Sequence, residues 1–112
     1  MADDVLERLA QCTGFEWDAG NALKVMAHHN VSPGECEQAF FAGPFAVKFD
    51  DKHSTGEGRW QALGRTSAGR ALFLVFTVRG TLIRVIAARD MNRKERERYG
   101  EIKTHPEEDS GV

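Results

Sequence analysis

The stretch Arg70-Ala71-Leu72-Phe73-Leu74-Val75-Phe76-Thr77-Val78-Arg79-Gly80-Thr81-Leu82-Ile83-Arg84-Val85-Ile86-Ala87-Ala88-Arg89 decides the fold. Leu72, Leu74, Phe76 and Val78 fill one face of an extended chain, and Phe73 and Val75 begin the other. A period of two marks a strand, and apolar side chains on both faces mark an internal one. Gly80-Thr81 suits a type II′ turn, whose first position needs the positive φ that glycine adopts freely. The segment therefore reads as two antiparallel strands, 70–79 and 82–89. With Gly80 and Thr81 as the turn, Arg79 faces Leu82, Thr77 faces Arg84 and Val75 faces Ile86. Thr77, Arg79 and Arg84 then share one side of the sheet, and Arg89 falls on the other.

Working backwards, residues 59–66 and 45–49 keep the period of two and read as two further strands, separated by a polar loop over 50–58. Upstream the period becomes helical. Residues 3–11 place Val5, Leu6 and Leu9 on one side, and Thr13-Gly14 stops that helix. Phe15-Glu16-Trp17 could form a very short strand. Asp18 is a plausible N-cap for a second helix, whose apolar face carries Ala22, Val25, Met26 and His29 and which Asn30 ends. Ser32-Pro33-Gly34-Glu35 is a capping box with Pro at the first helical position, and the helix it starts buries Cys36, Ala39 and Phe40. Beyond the hairpin, Asn92-x-x-Glu95 is a second capping box, for a helix through Tyr99. The order predicts an α+β fold: N-terminal helices packed on one face of a four-stranded antiparallel sheet, then a short C-terminal helix. Residues 1–100 form a single domain on this reading, and 101–112 a flexible acidic tail.

The chain has 112 residues, 41% of them apolar, enough for one core. No run of about 18 apolar residues exists, which excludes a spanning helix. Met1-Ala2-Asp3-Asp4 is the opposite of a signal peptide. Cys12 and Cys36 lack metal-ligand spacing and read as reduced thiols, so a cytoplasmic location is expected. The net charge of −2 averages over opposites. Residues 1–57 hold 4 basic and 10 acidic groups, residues 58–98 hold 10 and 3, and residues 99–112 hold 1 and 4. Nine of the ten basic residues in the middle segment are Arg. A polyanion binder over the whole surface is excluded; one that uses a single face is not.

Side-by-side arginines on a strand pair repel unless an anion lies between them, and a phosphate fits the bidentate guanidinium fork. One reading of Arg79 and Arg84 is thus a nucleic-acid backbone held across the sheet. The other is pairing with Glu57, Glu95, Glu97 and the acidic first half. In the loop running from Asp50 to Arg59, His53 and Glu57 could serve as general acid and base, with Arg59 stabilising developing negative charge. An ordinary polar loop is the plainer reading. Asp51, His53 and Glu57 match no metal motif. His29 reads as a packed core histidine, Trp17 and Trp60 as packing residues, and Cys36 as buried and inert.

Taken in order, these pieces resemble the BrnT family, toxins of type II toxin–antitoxin systems related in fold to the RelE ribonucleases. The matching stretches are Phe15-Glu16-Trp17-Asp18, Gly20-Asn21, His29-x-Val31-Ser32 and Glu37-x-Ala39-Phe40-Phe41. They continue with Asp51-x-His53-Ser54-x-Gly56-Glu57-x-Arg59, Leu63-Gly64-Arg65, Phe76-Thr77-x-Arg79-Gly80, Ile83-Arg84-Val85-Ile86, Ala88-Arg89, Glu95-Arg96 and Tyr99. The resemblance implies a metal-independent ribonuclease without cofactors that inhibits translation. It implies RNA and a BrnA-like, DNA-binding antitoxin as partners, with the ribosome a further candidate and no membrane. Carried over by position, the catalytic candidates are Glu57, His53, Arg79 and Arg84. The RNA-binding candidates are Arg59, Thr77, Arg89, Arg93 and Arg96. The chain departs from the family pattern at His28-His29-Asn30, at Val25 (commonly Asn) and at Ala87 (commonly Ser). A non-catalytic module that binds nucleic acid or protein through the arginine face is the alternative.

Overall fold

The computed structural model describes the backbone of residues 2–54 and 56–110, and the side chains of 5–52, 54 and 56–101. Its elements run α1 (Ala2–Gln11), β1 (Gly14–Phe15), α2 (Ala19–His29), α3 (Pro33–Ala39), β2 (Ala46–Phe49), a 3-10 turn (Asp51–His53), β3 (Trp60–Arg65), β4 (Ala71–Arg79), β5 (Leu82–Asp90) and α4 (Arg93–Ser110).

Helix starts follow the caps written in the sequence. The Asp18 carboxylate accepts from the Asn21 amide, and the Asn21 side chain accepts from the Asp18 amide. Ser32 and Glu35 exchange the same pair of bonds at α3, and Asn92 and Glu95 do so at α4. Each satisfies amide donors that a helix start leaves open. Asn30 ends α2 in the left-handed region, with φ 54°.

The strands form one sheet in the order β1-β5-β4-β3-β2. It has five strands where four were expected, because the two-residue β1 pairs parallel to β5, Gly14 beside Leu82 and Phe15 beside Ile83. Phe76, Leu72, Leu74 and Val85 are fully buried on one face, packed with Val5, Val25, Cys36 and Ala39 of the helices and Val31 of the α2–α3 link. Trp60 stacks on Phe76 at 5.9 Å, and Trp17 packs against the same core while its indole N–H donates to Glu37. Truncating a fully buried side chain such as Phe76 costs roughly 3–5 kcal/mol.

Helices cover both faces. Tyr99 and Met91 pack with Leu63 and Phe73, which point away from the main core, so α4 lies on the reverse side of the sheet. Its backbone continues past Tyr99 to Ser110; the side chains of the expected tail from residue 102 onward lie outside the described residues. His29 is exposed, not packed in the core. The buried positions of α2 are Asn21 and Val25, one turn apart, so its inward stripe is rotated from the purely apolar one.

The hairpin register holds as far as Phe76. Arg79 pairs with Leu82, Thr77 with Arg84 and Phe76 with Val85, and Gly80 takes φ 63°. Then the ladder slips: Val75 pairs with Ala87, not Ile86, because β5 carries one extra residue there. A bulge of this kind reverses which side chains face the core beyond it. Ile83 and Val85 face the helices before it and Ala88 after it. Arg89 therefore lies on the same face as Arg84, against expectation. It pairs across to Phe73 and sits over that ring at 4.0 Å.

Candidate active site

Arg79 closes β4 and Arg84 lies diagonally across from it on β5, on the face that does not carry the main core. Beside them, the Thr77 hydroxyl is buried and donates to the Gly58 carbonyl at 2.6 Å. The loop before β3 is also tied to itself. Ser54 Oγ donates to the Asp50 carbonyl at 2.6 Å and accepts from the Arg59 amide at 2.9 Å. Glu57 and Arg59, on either side of the clamped Gly58, are thereby held against the end of β4.

Together these residues wall an open cleft of about 280 Å³. Arg79 and Arg84 line it from the sheet, Glu57 and Arg59 from the loop before β3, Gly20, Asn21 and Lys24 from α2, and the bulged Ile86 completes the wall. Among the described residues, four cationic groups thus face one carboxylate. Bulges gather beside functional sites because they re-aim side chains.

Both central arginines already hold carboxylates. Arg79 binds Glu57 with two parallel hydrogen bonds, 2.7 Å from Nε and 3.2 Å from Nη2. Arg84 donates to Asp18 at 2.9 and 3.3 Å. Glu16 Oε1 accepts from both guanidiniums, at 3.1 Å from Arg84 and 3.3 Å from Arg79. The hydrogen bonds from Arg79 hold the Glu57 carboxyl below the ordinary glutamate value, and those from Arg84 do the same to Asp18. Glu57 is therefore ionised at neutral pH, the form a general base requires. The pairing with acidic groups is thus present, and both arginines still line the cleft. Among the described residues Arg59 and Lys24 make no salt bridge.

The other candidates are placed elsewhere. Arg89 binds Glu95 at 2.8 and 2.9 Å beside α4, away from the cleft. Arg93 pairs with Glu97, and Arg96 donates to the Met91 carbonyl. Thr77 stays beside the two arginines but is buried, its hydroxyl committed to Gly58. The His53 side chain lies outside the described residues. Glu16, Asp18 and Lys24 were not picked out from the sequence as site residues. Glu16 sits in a motif stretch, but nothing in its spacing places it opposite residues 79 and 84. Among the described residues, no group of three His, Cys, Asp or Glu side chains converges as a metal site would need. No helix among them is long and apolar enough to cross a membrane.

Residues 17–95 match the family model described as the ribonuclease toxin, BrnT, of type II toxin–antitoxin systems. The chain belongs to the BrnT family. The matched span takes in every residue of the cleft and leaves Glu16 just outside it. Among solved structures, the Brucella abortus ribonuclease toxin BrnT is similar in fold. Its TM-score is 0.52 and its identity 17%, with 72% of this chain and 99% of that one covered. No curated protein matches the chain. The BrnT assignment and the α+β architecture agree with the reading of the sequence.

Proposed function

We propose that this BrnT-family chain is an endoribonuclease toxin that cleaves RNA without a metal and so inhibits translation. The observation that carries it is the convergence of Arg79, Arg84, Arg59 and Lys24 on one cleft with an ionised Glu57. In this reaction the RNA 2′-hydroxyl loses its proton to a base, and its oxygen attacks the neighbouring phosphorus. The 5′-oxygen leaves with a proton from an acid, giving a 2′,3′-cyclic phosphate and a 5′-hydroxyl. Glu57 takes the part of the base. His53, from the same loop, is the candidate acid. Guanidiniums stabilise the extra negative charge of the phosphorane, the service an oxyanion hole performs elsewhere. RNA enters across the face that carries Arg79 and Arg84, and Arg89, Arg93 and Arg96 extend a basic track along it towards α4. An antitoxin segment that is acidic or closely fitted would silence the cleft. The ribosome is a further candidate partner, and the cytoplasm is the place where these partners meet.

One observation favours a second reading, a module that binds RNA without cutting it. Glu57 is committed to Arg79 by two hydrogen bonds, which weakens it as a base. A single experiment separates the two. Purified protein is incubated with RNA in the presence of a chelator, beside Arg79→Ala, and product ends are analysed. Cyclic-phosphate ends from the wild type alone support the ribonuclease. RNA bound with a steep salt dependence and left intact overturns it in favour of the binding module.

A further inference from the structure

Glu16 takes no part in the chemistry proposed above, yet it is fixed more firmly than an accessory carboxylate needs to be. Its amide donates to the Ile83 carbonyl at 2.9 Å. Its carbonyl accepts from Asn21 Nδ2 at 3.0 Å, and the same Asn21 nitrogen donates to the Val85 carbonyl at 3.0 Å. Asn21 is buried. Glu16 is thus stapled to β5 on both sides of Arg84. Where β1 stops, the Asn21 amide takes over the edge of the strand.

From that anchored backbone one oxygen, Oε1, reaches Nη1 of Arg84 at 3.1 Å and Nη1 of Arg79 at 3.3 Å. The two guanidiniums are like charges on diagonal positions of neighbouring strands, which repel when nothing links them. Each keeps its own separate partner, Glu57 for Arg79 and Asp18 for Arg84. Among the described residues only Glu16 joins them. Its carboxylate does not line the cleft, whereas both arginines do. It therefore holds them from outside the lining of the cleft.

We infer that Glu16 is a positioning residue: its shared oxygen sets the spacing of Arg79 and Arg84 so that the pair receives one phosphodiester group. The inference rests on the phosphate-handling reading of the cleft. It goes beyond that reading by assigning a residue that touches neither substrate nor reacting atoms. Fixing two donors in advance removes the cost of bringing them together during the reaction, and a misplacement of about 1 Å can cost as much as a hundredfold in rate.

Two variants separate spacing from charge. Glu16→Asp keeps the charge but is one methylene shorter, so it cannot reach both arginines from the same anchored backbone. Glu16→Gln keeps the reach and one acceptor oxygen but loses the charge. Two readouts are taken on the purified full chain, single-turnover cleavage of a short RNA and affinity for the same oligonucleotide with the scissile 2′-hydroxyl removed. The expected order is wild type, then Glu16→Gln, then Glu16→Asp. The cleavage rate of Glu16→Asp falls about tenfold or more, and its affinity for the uncleavable strand falls severalfold. The reverse order, with Glu16→Asp like wild type, makes Glu16 a simple charge balance and overturns the inference, as does no change in either variant. Failure of the wild type to cleave overturns the ribonuclease reading alone, because affinity for the uncleavable strand still ranks the variants. Failure of the wild type to bind that strand overturns the brace as well.

Discussion

The Thr77 hydroxyl donates a 2.6 Å hydrogen bond to the carbonyl of Gly58, 19 positions earlier in the chain. Thr77 is buried on β4, and Gly58 lies between Glu57 and Arg59. The bond ties an inner strand to a loop whose other tethers include Ser54, the Asp50 amide on the Arg59 carbonyl and the Glu57–Arg79 pair. Thr77→Val preserves shape and removes the donor. We expect a stability loss of about 1–3 kcal/mol, the cost of leaving a desolvated carbonyl without its partner. Cleavage should fall further than the lost stability explains, and Thr77→Ser should restore both. Thermal unfolding beside single-turnover rates checks this, and a Thr77→Val protein with wild-type rates would count against it.

Arg70 is a structural hub. It binds Asp90 through two hydrogen bonds at 2.7 and 3.1 Å and Glu35 at 3.1 Å. It also donates to the carbonyls of His29 and Asn30 at the end of α2. One side chain therefore ties together the end of α2, the cap of α3 and the end of β5. Arg70→Met should lower stability by roughly 1–2 kcal/mol, a figure kept small because Asp90 is 60% exposed and screened by solvent. A denaturation midpoint unchanged from wild type would contradict this.

The same network sets a dependence on pH. Hydrogen bonds from Arg70 hold Asp90 below its ordinary value of 3.8, and the Ser32 amide, with Arg70 assisting, holds Glu35 below 4.5. A carboxyl that is more acidic in the folded state stabilises the fold above its unfolded value and stops doing so as pH falls through its folded value. Stability should therefore be level above about pH 5 and decline below the ordinary carboxylate range. The deficit of Arg70→Met should shrink over that same range. Melting curves from pH 7 down to pH 3 measure both, and a deficit that widens in acid would refute the assignment.

Cys36 is fully buried, and burial pushes its thiol up to about 12. Only the thiolate reacts, so a thiol reagent at neutral pH should leave Cys36 unmodified in the folded protein and label it on unfolding. Mass mapping of the labelled residue decides the matter.

Gly64 lies on β3 directly beneath α3. A Cβ there would collide with the Ala39 carbonyl, a backbone atom that cannot swing aside. Gly64→Ala should force α3 off the sheet and cost about 1–3 kcal/mol or more. A fully stable Gly64→Ala protein would show that α3 slides freely.

Much of this architecture is legible in residue order. The Asp18 cap, the two capping boxes, the glycine of the 80–81 turn and the alternation through residues 71–79 are local signals, and each marks an element the structure contains. What escaped is set by partners distant in the chain. A two-residue strand has no period of its own, so β1 is defined only by the open edge of β5. Nothing in Val85-Ile86-Ala87 announces a bulge, because the local alternation fits a regular strand equally well. His29 follows helical spacing yet lies outside the core, since Asn21 takes the inward position by satisfying the carbonyl of Val85. In the cleft, the arginines and Glu57 stand out by residue type. The carboxylates that organise them, Glu16 and Asp18, come from a distant segment and could not be matched to them by spacing.

The extra residue at Ile86 has a consequence for anyone who edits this protein. Up to Val85 the odd-numbered residues of β5 face the helices; from Ala88 the even-numbered ones do. The strand is thus two half-strands joined out of phase. Excising Ile86 would remove one wall of the cleft while leaving every other side chain of β5 on its present face. A one-residue deletion at a regular position would turn part of the strand inside out. A chimera built from two family members should place its junction at residue 86, the one position in β5 where a difference in length need not scramble the surfaces on either side.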